Sequence, residues 1–457
     1  MCMSKYSYTK GEKEILAVIK DHDDRLQAIH TTDTSAIDLA ISDSEELLRS
    51  IVYHPSAHFI DAAPAITNAR KTIHIPSWEE MVAEATTKHR DVVIEDLFTP
   101  EEFASNKKAI ILLNQEFNQL YKLDKFDIAI SALAGLIAAA VDILLVGIPQ
   151  KTPDGLKAGK LSDFIRAKFD EKFPEEEMEK LANSKKSKVP FDAQDNRHTT
   201  VRVEGLSAYY HRLLSLGHDP LLGLVVGVSD IMTGKMTTID KAGNVVSQVM
   251  KNYSDRQETN FFMAISKQII HFKSDITTSM GLPVPLMGLF NLLQFGSIGE
   301  EEQTIAEIVQ GMYYEGYDFI HFASMSIPTM LVEVIVRLGY AIKRIKEGHS
   351  VKESLPFSLN RDKTPKLSTM LFIAHSAATA INAGKVAFTK NPMAINYPQW
   401  LAFAKYSYTQ LKWVLIDKPE KRVAYISDKL NKNLISIYDN AEQLFDSISS
   451  DYDIVFD

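Results

Sequence analysis

Three stretches of this chain set histidine, aspartate or arginine against apolar sequence. In Tyr209–Gly234 (YYHRLLSLGHDPLLGLVVGVSDIMTG), His211, Arg212, His218 and Asp219 precede a glycine-studded apolar run that carries Asp230. In Ile130–Gly147 (ISALAGLIAAAVDILLVG), Asp142 stands alone among aliphatic residues. In Ile269–Phe290 (IIHFKSDITTSMGLPVPLMGLF), His271 and Asp275 are four apart. Such side chains are costly beside so much apolar surface unless they are paired, hydrogen-bonded or bound to a metal. At i and i+4, His271 and Asp275 share one helical face and can offer a nitrogen and an oxygen to one cation. At i and i+7, His211 and His218 also share a face, two turns apart, and can meet a second cation or a phosphate. Arg212 can hold an anionic substrate oxygen through its planar guanidinium, and Asp142 can bridge or cap the group from another helix. Zinc or manganese held by mixed His and Asp ligands acidifies a bound water and polarises a phosphoryl oxygen. These residues therefore support a metal-dependent phosphoester hydrolase. Asp142, His211, His271 and Asp275 are its expected metal ligands, and Arg212 and His218 its expected catalytic residues. No residues for an organic cofactor are indicated.

The order of these motifs resembles the membrane-associated metal-dependent hydrolases of the LexA-binding type and, more distantly, zinc-dependent phospholipases C and P1-type nucleases. The matching features are the Asp-bearing run GLIAAAVDILL, the segment HRLLSLGHDPLLGLVVG and the segment HFKSDITTSMGLPVPL, together covering roughly residues 130–290. The resemblance implies Asp142, His211, His218, His271 and Asp275 as ligands. This chain departs from the pattern in two ways. Its second histidine lies farther from the first, and its early segment lacks a second aspartate and an earlier histidine. The residues also admit a reading without chemistry, a helical interaction or membrane-associated scaffold. There the histidines and acids are internal hydrogen-bond partners, and Gly223, Gly227 and Gly234 allow helices to approach closely.

The elements that must position these residues read as helices. The chain has 457 residues, enough for several domains. We expect an all-α fold, a large multi-helix bundle with a small β-hairpin at about 236–246, where Gly243 and Asn244 divide two apolar runs. The expected divisions are a polar helical region at 1–95, a helical core at 96–350 with a charged insertion at about 151–200, and a C-terminal helical region at 351–457. Helices are expected over Lys13–His30 and Asp33–Val52, after the capping box Ser77–Glu80, and from Thr99-Pro-Glu-Glu102 to Leu123. Further helices are expected over Lys125–Gly147 and from Gly299 to Lys346 with a break near Pro328. Thr199–Val203 reads as a short strand, Pro190–Thr200 as a loop, and the acidic end Asp451–Asp457 as frayed. His54 and His58 read as turn or surface residues. A faint repeat, Ile-His-Phe-x-Ser, recurs around His271 and His321 and more loosely around His375.

Composition narrows the function further. A net charge of −9 argues against bulk electrostatic binding of nucleic acid. With Cys2 the single cysteine, neither a disulfide framework nor a cysteine zinc site is available, which suits a reducing, cytoplasmic setting. The first residues lack the apolar core of a secretory signal. Ile128–Pro149 and Phe319–Tyr340 approach the roughly 20 apolar residues of a membrane span. The polar groups within them and a mean hydropathy of −0.10 favour a buried core, with peripheral membrane contact through Ile128–Pro149 or Leu282–Phe295 left open. No phosphate-binding loop, dinucleotide fingerprint, serine elbow or His-Glu-x-x-His motif occurs.

Overall fold

The structure is a computed structural model that describes residues 7–30, 42, 71–153, 155–278, 280–298, 301–354, 356–449 and 452–456. Among the described residues the fold is mainly α, 66% helical with 15 helices and a few short strands. In chain order these are α1 (Lys10–His30), β1 (Lys71–Ile75), α2 (Trp78–Lys88), α3 (Pro100–Tyr121), α4 (Lys125–Val141), β2 (Gln150–Thr152), β3 (Gly155–Lys157), α5 (Lys160–Lys172) and α6 (Glu175–Ala182). There follow α7 (His211–Leu214), α8 (Val226–Thr233), β4 (Lys235–Ile239), β5 (Val245–Val249), α9 (Phe261–Asp275), α10 (Ile305–Tyr314) and α11 (Phe319–Lys346). The last are α12 (Val351–Ser354), α13 (Leu367–Thr389), α14 (Tyr397–Lys412), α15 (Lys418–Ser449) and β6 (Tyr452–Phe456).

The chain divides into two compact units, residues 1–119 with 419–457, and residues 120–418. These divisions differ from those at 95 and 350 drawn on composition. In the first unit α1 packs on α2 through Ala17, Val18 and Ala85, and β1 pairs in parallel with β6. The C-terminal segment is thus a strand rather than a frayed end. The helices begin where capping predicts: Ser77 and Glu80 form a reciprocal box, as do Thr99 and Glu102. The expected helix over Asp33–Val52 and the residues His54 and His58 lie outside the described residues, Ser42 excepted.

The second unit is built on four long helices, α4, α11, α13 and α14. Their shared core includes Ala134, Ala138, Val332, Val336, Leu371 and Tyr406. Their directions follow from the polar contacts at the two ends. Lys343 late in α11 and Lys366 before α13 both reach Asp127 at the start of α4, at 2.7 and 3.7 Å. At the far end of α4, Asp142 meets Asn382 and Lys385 late in α13 and Asn396 at the start of α14. So α4 and α13 run one way, and α11 and α14 the other. The outward faces of α4 and α11 are apolar, with Ile128, Leu136, Leu144, Met330, Val334 and Leu338 all at least half exposed. Pro100–Val146 and Phe319–Lys346 are long and apolar enough to cross a membrane by length and composition.

A second part of this unit holds α7, α8, the β4–β5 hairpin and α9 around Phe191, Val203, Leu214, Ile231 and Met236. The hairpin lies where Gly243 and Asn244 place it. Thr199–Val203 is not a strand, because the Gln248 side chain satisfies its backbone. Gln248 Oε1 accepts from the N–H groups of Thr200 and Val201 at 2.7 Å each, and its Nε2 donates to Val201 O at 2.9 Å. Residues 190–200 are irregular chain, the loop expected there, though Phe191 and Ala193 within it are fully buried. The helix expected from Gly299 is two helices. The first starts at a Thr304–Glu307 capping box, and the break falls at 315–318, where Gly316 has φ +100°. Pro328 stays inside α11.

Glu333 ties three of the long helices together. Its carboxylate accepts from Tyr406 Oη and from Arg337 Nε at 2.7 Å, and it faces His375 Nε2 at 3.4 Å. Burial raises the acid's pKa, but these three partners outweigh it and hold the group at about 2. A depressed carboxylate stabilises the fold above its unfolded pKa of roughly 4.3, and this is lost as pH falls towards 2. Glu333→Gln is therefore expected to lower unfolding free energy at pH 7 by about 2 kcal/mol in urea titrations, with the deficit shrinking below pH 4.

Candidate metal centre

The local chain path explains how the two histidine-bearing segments meet. His211 opens the short helix α7, and His218 ends a 3₁₀ turn, Leu216–His218. Asp219 then locks the chain. Its Oδ1 accepts from the N–H groups of Leu221 and Leu222 at 2.9 and 2.8 Å, and its Oδ2 from Leu286 N at 2.5 Å. Next to it, α9 carries His271 and Asp275 on the face their spacing predicts, and both are buried. The two segments are joined by Gln268 Nε2, which donates to Gly217 O at 2.7 Å. Gly223 and Gly227 permit this approach. A Cβ on Gly223 would lie 2.4 Å from Gly217 O, and one on Gly227 would lie 2.7 Å from Gln268 Oε1. Any side chain at either position would push α9 away.

The loop between α6 and α7 supplies a fifth residue, Asp192. It is flanked by buried Phe191, whose ring meets the imidazoles of His218 and His271 edge-on at 5.1 and 5.4 Å. Asp192, His218 and His271 each present one ligand atom within 4.8 Å of the others. Around them Asp192 Oδ1 lies 3.4 Å from His211 Nε2 and 3.5 Å from His218 Nε2. Asp275 Oδ2 lies 3.8 Å from His218 Nε2 and 3.5 Å from His271 Nε2. These separations are long for hydrogen bonds, which fall at roughly 2.7–3.2 Å. They suit donors on a shared cation, since bonds of about 2.0–2.1 Å in a tetrahedral site set donors roughly 3.4 Å apart.

The hydrogen bonds agree with that geometry. Among the described residues, His211 Nε2, His218 Nε2, His271 Nε2 and Asp275 Oδ2 are buried with no hydrogen-bond partner, as is His218 Nδ1. Each such atom costs about 1–3 kcal/mol if left bare. The atoms behind them are held. His211 Nδ1 lies 2.9 Å from Ala208 O, a bond that makes Nδ1 the protonated nitrogen and leaves the Nε2 lone pair free. Arg212 donates to Asp275 Oδ1 at 3.1 Å and to Gly281 O at 3.3 Å, so Asp275 Oδ2 is the oxygen left over. Burial pushes the His218 imidazole down to about 4, which leaves it neutral, as a ligand must be. For Asp192 burial acts upward, but the facing imidazoles of His211, His218 and His271 hold the carboxyl well below its ordinary value. The group opens onto a cleft of about 320 Å³ lined by Asp192, Arg212, His271 and Asp275 among others. A larger cavity of about 800 Å³, lined by Arg166, Tyr314 and Asp318, takes in none of the three histidines.

Of the residues singled out on sequence, His211, Arg212, His218, His271 and Asp275 come together, and Asp142 does not. Its carboxylate is filled by Asn382 Nδ2 at 3.0 Å, Lys385 Nζ at 3.0 Å and Asn396 Nδ2 at 2.8 Å, a structural knot at one end of the four long helices. Its place is taken by Asp192, which lies on irregular chain between buried Phe191 and Ala193. His218 lies with Asp192 and His271, their ligand atoms all within 4.8 Å of one another. Asp230 is bound by Thr237, accepting from its N and Oγ1 at 2.8 Å each, and burial raises its carboxyl to about 6. The repeated histidines diverge: His375 lies between Glu333 and Gln399, and His321 packs against Tyr317.

Burial, with repulsion from Arg166 and Lys385, lowers the His321 imidazole to about 3. A histidine whose folded pKa lies below its unfolded value, near 6.5, binds a proton more readily when unfolded. Its share of stability is therefore complete above pH 6.5 and falls as pH drops towards 3. Between pH 7 and pH 5 this costs the wild type about 2 kcal/mol, and His321→Asn should remove that part of the pH dependence in denaturant titrations. The chain matches no family model, no curated protein and no solved structure.

Proposed function

We propose that the protein is a metal-dependent hydrolase acting on a phosphoester, with zinc or manganese held by His211, His218, His271, Asp192 and Asp275. The observation that carries this reading is the set of four ligand atoms on His211, His218, His271 and Asp275, buried without hydrogen-bond partners and facing one another. A bare ring nitrogen alone does not mark a site, since His321 Nε2 is also buried without a partner among the described residues. What favours the hydrolase over a scaffold is that three imidazoles face two carboxylates, Asp192 and Asp275, at 3.4–3.8 Å.

A cation bound there supplies an acidified water and polarises a phosphoryl oxygen. The chain's own residues do the positioning. Ala208 O sets the His211 tautomer, Arg212 turns Asp275 so that Oδ2 faces the cluster, and Phe191 excludes water from the imidazole faces. Arg212, expected to bind substrate, becomes a positioning residue for Asp275. The apolar outward face of α4 and α11 supports peripheral membrane contact for the same protein.

The test is hydrolysis of p-nitrophenyl phosphate and its bis ester by the purified full chain after chelation and after return of zinc or manganese. Activity should vanish on chelation and come back with one of the two ions. His218→Ala and Asp192→Asn should each lose at least about 100-fold in kcat/KM and about one equivalent of metal in plasma mass spectrometry. Metal-independent turnover, or full activity in both variants, would contradict the reading.

A further inference from the structure

Above the cluster, the cleft carries positive charge that the metal site does not use. Four cationic side chains line it: Lys188, Arg197, Arg212 and Arg256. Two are neutralised nearby. Arg197 donates to Asp195 through Nε at 2.9 Å and through a terminal nitrogen at 2.6 Å, and Arg212 is bound to Asp275. Among the described residues, neither Lys188 nor Arg256 is paired with a carboxylate. Arg256 is also held in place. Its guanidinium lies 3.4 Å over the Tyr253 ring and donates to Val189 O at 3.4 Å, and His198 packs on Tyr253 with centroids 5.2 Å apart. A stacked guanidinium loses little freedom when it binds an oxyanion. At about 320 Å³ and with few apolar side chains in its wall, the cleft suits a small polar ligand rather than an acyl chain.

We infer that Lys188 and Arg256 form an oxyanion subsite beside the His/Asp cluster, which selects a small polar substrate by its phosphoryl group. This rests on the proposed hydrolase reading and adds the residues that would recognise the substrate. A phosphoryl oxygen held by Lys188 and Arg256 would keep the rest of the group over Asp192, His271 and Asp275, the three cluster residues that line the same cleft. Each cation gives a charge-assisted hydrogen bond, and removal of either weakens binding by about tenfold.

The experiment compares wild type, Lys188→Met, Arg256→Gln and Arg256→Lys, all as full chains. Inorganic phosphate is titrated calorimetrically, KM for p-nitrophenyl phosphate is measured, and metal content and melting temperature are read on the same samples. We expect the phosphate Kd and the ester KM to rise about tenfold in Lys188→Met and Arg256→Gln, with metal content unchanged and Arg256→Lys part-way restored. A rise in KM without a rise in phosphate Kd would place the contacts on the leaving group and overturn the subsite. So would unchanged phosphate affinity in folded variants, or no phosphate binding by wild type. Failure of the hydrolase reading appears separately, as wild type without metal or turnover. In that case phosphate affinity that still depends on Lys188 and Arg256 upholds the subsite.

Discussion

Withdrawing three imidazoles and the Asp275 carboxylate from water, with half-buried Asp192 facing them, beside Phe191 and the glycine-lined crossing at Gln268 is the constraint on which this part of the molecule depends. Coulomb attraction alone does not answer it, because the contacts among the five residues are 3.4–3.8 Å and leave four ligand atoms without hydrogen bonds. The surroundings nonetheless hold each group firmly. Ala208 O fixes one imidazole, Arg212 fixes one carboxylate, and Asp219 fixes the chain just after His218. Such order around bare ligand atoms is what a cation site requires, because the first shell works only when its supports set it.

The four long helices solve a different problem with similar residue types. Glu333, His375, Gln399, Asp142, Asn382 and Lys385 are also polar groups within apolar helices, but they are satisfied by one another. Buried networks of this kind fix which helix faces meet, since any other register strands a charge. This division of labour separates polar groups that specify the fold from polar groups still missing a partner.

That division also explains what the sequence could show. The helical fold was legible because capping boxes at Ser77 and Thr99 and apolar runs such as Ile130–Gly147 have local physical causes. The hairpin was legible from its turn residues, Gly243 and Asn244. Within the site, the i,i+4 spacing of His271 and Asp275 survived because a helix converts spacing directly into a shared face. Asp192 was missed because it lies on irregular chain, where spacing carries no direction and only the tertiary structure brings it to His218. Asp142 misled for the opposite reason. An acid in an apolar run reads the same whether it awaits a cation or meets Asn382, Lys385 and Asn396 more than 200 residues away. The break in the helix after Tyr314 was placed at Pro328 because proline is the stronger general signal, whereas Gly316 at φ +100° makes the turn.

The central claim is that the unpartnered atoms of His211, His218, His271 and Asp275 converge with Asp192 on one kind of cation. X-ray absorption at the metal edge of the purified full chain addresses it most directly. The account expects a nitrogen and oxygen first shell at about 2.0–2.1 Å for zinc, with outer-shell scattering from three imidazoles that falls to two in His218→Ala. A protein without bound metal after reconstitution, or an ion whose spectrum carries no imidazole scattering, would contradict it.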